Sequence, residues 1–176
     1  MQAATSAFND QHSMSRLPLL PLLSAFTLAL SVASAAAQES AAAPTGFPAG
    51  VHPLVLALQR AGYTVLLKKP PIDGAYGATN ARKKMIWVAP ITIDLGILRQ
   101  ALIHEAVHAA QGCPSGKLRP IGWSFPMANA VDREVAGVLY RNYAHAKHDV
   151  EREAFAMQGD PRAFERIAAA LKLRCR

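Results

Sequence analysis

The sequence predicts an α+β domain: a small β-sheet or hairpin, then a long histidine-bearing helix, then two further helices. Two short aliphatic and β-branched runs, "TVLLKK" and "KKMIWVAP", lie close together and are bounded by proline and turn residues, which is the signature of strands. From residue 94 onward apolar residues instead recur three and four apart, the spacing of helices with one buried face. Strands gathered ahead of helices, rather than alternating with them, mark the α+β class. With 176 residues, 51% of them hydrophobic and 18% charged, the chain is long enough for one domain with a core of its own.

Part of that hydrophobicity belongs to the N-terminus. "MSRLPLLPLLSAFTLALSVASAAAQES" shows Arg16, an apolar run from Leu17 to Val32 and small residues in A-x-A patterns, which reads as a secretory signal peptide over residues 1–37. The cut falls after Ala37, with Ala35 as the overlapping choice, and Met14 is a candidate true start. Residues 38–50, "QESAAAPTGFPAG", read as an extended linker, leaving 51–176 as the folded domain. The expected location is therefore secreted or periplasmic. An oxidising compartment lets Cys113 and Cys175, the two cysteines of the chain, pair as a disulfide that ties the last helix beside the histidine helix.

Within the domain, "VHPLVLALQRAGY" puts Val51, Leu54 and Leu58 on one helical face with Gly62 after the last turn. "TVLLKK" is a strand stopped by Pro70 and Pro71, "DGAYGATN" is turn chemistry, and "KKMIWVAP" is the second strand. Asp94 is the expected N-cap of a helix of about eighteen residues, with Leu95, Leu98, Leu102, Ala106 and Ala109 as its buried stripe and Gly112 and Pro114 as its end. "PSGKLRPIGWSFP" must be a loop, with Trp123 and Phe125 covering the core. Residues 127–158 then read as helical with little interruption, and Asp160 and Pro161 as the N-cap and first position of the last helix.

The chemistry concentrates in "RQALIHEAVHAAQGC". Residues four apart on a helix share a face, so His104 and His108 can present imidazole nitrogens to one metal ion. Glu105 is rotated by about 100° from His104, outside the ligand set yet within reach of a water at the metal. That division suits hydrolysis, in which the metal polarises the scissile carbonyl and acidifies the water while the glutamate, as general base, takes the proton and passes it to the leaving amine. A catalytic site of this kind takes three protein ligands. "HDVEREAFAMQ", some forty residues on, offers Glu151 and Glu153, which face about 200° apart on a helix.

"LIHEAVHAAQ" followed by "EREAFA" resembles the gluzincin group of zinc metallopeptidases in a small minimal form, over residues 95–158. The resemblance implies a Zn2+ cofactor, hydrolysis of peptide bonds through a metal-activated water, and a third ligand from a glutamate in an E-x-x-A setting. Glu151 fits as that ligand, with Glu153 as the alternative because Glu153-Ala154-Phe155-Ala156 also reads E-x-x-A. Phe155 stands where the family carries an aspartate or asparagine, which removes the usual partner of a ligand histidine. By the same resemblance the strand "KKMIWVAP" is the edge that an extended peptide substrate would pair with. His145, His148, Tyr140 and Tyr143 are candidates for stabilising an oxyanion.

The expected partner is a peptide or protein substrate. A net charge of +7 and a pI near 9.8 suit weak contact with an anionic envelope surface. The basic residues are scattered and match no nucleic-acid-binding motif, so no nucleic-acid partner is expected. The competing role is an envelope binding or structural protein that holds metal on the same helix without turnover.

Overall fold

The computed structural model describes residues 45–142 and 144–176; the expected signal peptide and Tyr143 lie outside them. After a 3-10 turn at Ala49–Val51 the elements run α1 (His52–Arg60), β1 (Thr64–Leu67), β2 (Gly77–Asn80), β3 (Met85–Val88), α2 (Ile91–Asp94), α3 (Leu98–Gly112), α4 (Asn129–Asn142), α5 (His148–Gln158) and α6 (Ala163–Arg174). The α+β class is as the sequence predicts.

The sheet differs from the expected hairpin. Its order is β1-β3-β2, with β1 parallel to β3 (Thr64 opposite Met85) and β2 antiparallel to it (Gly77 opposite Val88). The two strands read from sequence are thus neighbours that run the same way. The third comes from "DGAYGATN", read as turn because glycine and asparagine are poor strand formers; here tertiary pairing overrides propensity. β3 is consequently central, between β1 and β2, and is not the free edge expected of it for pairing with a substrate.

α3 is the axis of the molecule. It packs on β2 and β3 on one side, on α5 on another, and on α1 and α6 beyond. Leu102, Ile103, Ala106, Val107, Ala109 and Ala110 are all fully buried, so α3 is enclosed nearly all round rather than along one stripe. Its C-terminal carbonyls are taken up by other elements: Tyr63 Oη donates to Ala109 O at 2.9 Å and Arg174 Nε to Ala110 O at 2.9 Å. Burial pushes the Tyr63 hydroxyl up to about 12. Cys113 and Cys175 are disulfide-bonded, joining the end of α3 to the end of α6 as expected.

Several boundaries move. Asp94 is the last residue of α2 rather than an N-cap; Gly96, at φ +68°, breaks the chain there, and Leu95 is half exposed in the link. The stretch 127–158 is two helices, since Ala144 turns extended and His145–Lys147 form a 3-10 turn, which makes three helices after α3 rather than two. Asp160 forms a turn ahead of α6, its Oδ1 accepting from Arg162 N at 2.8 Å, and the helix starts at Ala163. Phe47, inside the expected linker, is buried in the core.

Candidate metal centre

Three side chains converge where α3 meets α5. His104 Nε2 lies 3.1 Å from His108 Nε2 and 3.2 Å from Glu151 Oε2, and His108 Nε2 lies 3.3 Å from the same oxygen. His104 and His108 meet because they are one turn apart on α3, and Glu151 reaches them from the first turn of α5. The pair Glu151 and Glu153, open in the sequence, separates here. Their side chains leave α5 about 200° apart, so while Glu151 faces the histidines, Glu153 faces the loop after α3. There Oε2 accepts from Gln111 Nε2 and Ile121 N, both at 2.8 Å, and Oε1 from Gly122 N at 2.6 Å and Trp123 N at 2.8 Å.

Removal from water is nearly complete: His108 is 7% exposed and Glu151 6%. Burial pushes the Glu151 carboxyl up, but hydrogen bonds from His104 and His108 and their charge outweigh it and hold the group at about 2. For His108 burial pulls down, while the hydrogen bond to Glu151, the charges of Glu151 and Glu105 and the bond to Gln111 together raise it. Glu151 is therefore held as a carboxylate beside a His108 ring whose protonated form is favoured.

The donor set fits a zinc ion. Two ligand atoms about 2.0–2.1 Å from zinc in a tetrahedron stand about 3.3 Å apart, against the 3.1, 3.2 and 3.3 Å found here. The three ligating atoms, two imidazole nitrogens and one carboxylate oxygen, form a closed group in which each can contribute one bond.

Each ring has a partner for its second nitrogen. Gln111 Oε1 lies 2.7 Å from His108 Nδ1, and the Gln158 amide 3.0 Å from His104 Nδ1. Phe155 packs edge-on against His104 with ring centroids 4.8 Å apart. The polar group at that ring comes from Gln158, three residues further along α5.

Glu105 points the other way, to β2. Thr79 Oγ1 lies 2.7 Å from Glu105 Oε2 and 3.0 Å from the Glu105 carbonyl oxygen. Gly77 is required for this placement, since a Cβ there would stand 2.6 Å from Glu105 Oε1 and 2.7 Å from its Cγ. Glu105 and His104 open onto one cleft of about 510 Å³, whose walls include Tyr76, Ile97, Gln100 and Phe155. Of the oxyanion candidates chosen from sequence, Tyr140, His145 and His148 do not line it, and Tyr143 lies outside the described residues. Tyr140 is 84% exposed, and His145 and His148 stack on each other with centroids 5.0 Å apart.

Thr79, Gly77, Gln111 and Gln158 were not singled out from sequence. Two carried a readable signal: Gln111 stands three residues after His108 on the same helix, and Glu151, Phe155 and Gln158 follow the i, i+4, i+7 spacing of one face. Thr79 and Gly77 carried none, because their partner lies 26 or more residues away. Compared with known protein families, with curated proteins and with solved structures, the chain finds no match.

Proposed function

We propose that this protein is a zinc-dependent metallopeptidase that hydrolyses peptide bonds in a secreted or periplasmic setting. The observation that carries the reading is the triangle of His104, His108 and Glu151, whose His104 lines, together with Glu105, a cleft of about 510 Å³. A zinc ion bound there supplies Lewis acidity, polarising a carbonyl oxygen and acidifying a water molecule.

The chain supplies the rest. His104, His108 and Glu151 hold the ion. Thr79 engages Glu105 Oε2, which leaves Oε1 to take the proton from the attacking water and to deliver it to the departing amine. β2, with no strand on its outer side among the described residues, offers main-chain groups to an extended peptide beside Glu105.

The test joins metal analysis to turnover. Tag-free mature protein is expected to carry about one zinc per chain by elemental mass spectrometry, and to lose it in His104→Ala and in Glu151→Ala. Against a library of quenched fluorescent peptides, Glu105→Gln is expected to keep the zinc and lose the cleavage. No zinc after zinc is offered sinks the reading. Zinc without any cleavage by the wild type leaves the metal-holding envelope protein instead.

A further inference from the structure

His108 can ligate through Nε2 only if its neutral ring carries the proton on Nδ1. Nε2 lies 3.3 Å from a Glu151 oxygen, which favours a proton there, so the tautomer turns on how firmly an acceptor is held at Nδ1. It faces one end of an amide, Gln111 Oε1 at 2.7 Å. An amide has a donating and an accepting end, exchanged by a half-turn. For Gln111 that half-turn is blocked from the far side. Its Nε2 donates to the Val150 carbonyl and to Glu153 Oε2, both at 2.8 Å. A carbonyl and a carboxylate only accept, so turning the amide would set its oxygen against two acceptors. Gln111 is wholly buried and Glu153 is 5% exposed, so water is poorly placed to relieve the mismatch.

Glu153 is itself held. The N–H groups of Ile121, Gly122 and Trp123, three consecutive residues, donate to it along with Gln111. An amide side chain at 153 would turn a donor toward one of these donors.

We propose that Glu153 and Gln111 act as a tautomer lock on His108: the loop amides hold the Glu153 carboxylate, Glu153 and Val150 O orient the Gln111 amide, and Gln111 keeps the His108 proton on Nδ1. Nε2 is then left with its lone pair, against the pull of the Glu151 oxygen 3.3 Å away. The use of that lone pair rests on the zinc reading; the tautomer does not. Both are positioning residues, acting on the metal through His108. His104 has no equivalent lock, because the Gln158 amide has no second anchor among the described residues and is free to turn.

The experiment reads tautomer and affinity separately. Long-range proton–nitrogen NMR on metal-free full chain at roughly pH 9, above the ordinary imidazole range, is expected to show His108 with the proton on Nδ1. Gln111→Leu is expected to release that preference and to weaken zinc binding, by chelator competition, about ten- to hundredfold. Glu153→Gln is expected to do the same, because its amide end donates to Gln111 and lets it turn over.

A wild type with the proton on Nε2 overturns the lock, and so does a Gln111→Leu protein that melts earlier but keeps tautomer and zinc affinity. The wild-type measurement decides even where a variant fails to fold. A wild type that takes up no zinc, yet holds Nδ1–H and loses it in Gln111→Leu, ends the peptidase reading and upholds the lock.

Discussion

Glu105 and Glu151 show how little the identity of a side chain says without its surroundings. Both are buried carboxylates, yet Glu151 faces two imidazoles and Glu105 faces a threonine hydroxyl and a glycine. General-base catalysis of this kind is worth about 10²–10⁴-fold, so Glu105→Gln is expected to lower kcat by that order with zinc content unchanged. The imidazole and carboxylate groups also set a pH window for the metal-free protein. Glu151 drops from 4.5 to about 2 on folding, so its stabilisation is complete above pH 4.5 and is lost as pH falls toward 2. His108 is raised above 6.5, so its share is complete below 6.5 and is lost as pH climbs through the raised value. The melting temperature of metal-free protein is therefore expected to peak between pH 4.5 and 6.5. Zinc affinity, measured in parallel, should rise with pH above 6.5 as the competing proton leaves.

At the scale of elements, β2 and the two ends of α3 carry the consequences. β2 is short and contains a glycine, a poor strand on its own merits, and it is held by pairing with β3 and by the Thr79 bond to α3. Gly77→Ala forces Glu105 out of its place. The expected result is a loss of cleavage of tenfold or more with zinc still bound, since roughly 1.4 kcal/mol of misplacement suffices for tenfold, checked by steady-state kinetics beside metal analysis. At the other end, the disulfide closes a loop of 62 residues. Replacing both cysteines by alanine is expected to cost about 2–4 kcal/mol, seen as a melting temperature lower by roughly 10 °C. Gln111 lies two residues before Cys113, so weaker zinc binding should accompany the loss.

For the molecule as a whole, an ion held by His104, His108 and Glu151 would bridge α3 and α5, whose contact is the most extensive between any two of the described elements. Anything that binds only the folded chain stabilises it by mass action, by about 4 kcal/mol at a thousandfold excess over Kd. Stripping zinc with a chelator at pH 7.5 is therefore expected to lower the melting temperature, and His104→Ala to abolish that sensitivity. The first helix and both runs "TVLL" and "MIWV" were legible in the sequence because period and composition agree there, as was the span of α3 around its motif. The break between α4 and α5 was not, since residues 142–147, "NYAHAK", contain neither proline nor glycine.

What the sequence determined by itself was local: His104 and His108 on one helical face, Glu105 rotated from them, and two glutamates downstream facing opposite ways. Each follows from the 3.6-residue turn alone. Only the tertiary structure decided which glutamate meets the histidines, which strand forms the edge beside Glu105, and which amides hold the ring nitrogens. Those contacts join residues 26 to 54 apart in the chain. They exist because α5 closes on α3 and β2 is drawn against it, a choice made by burial over the whole core rather than by any short pattern of residues.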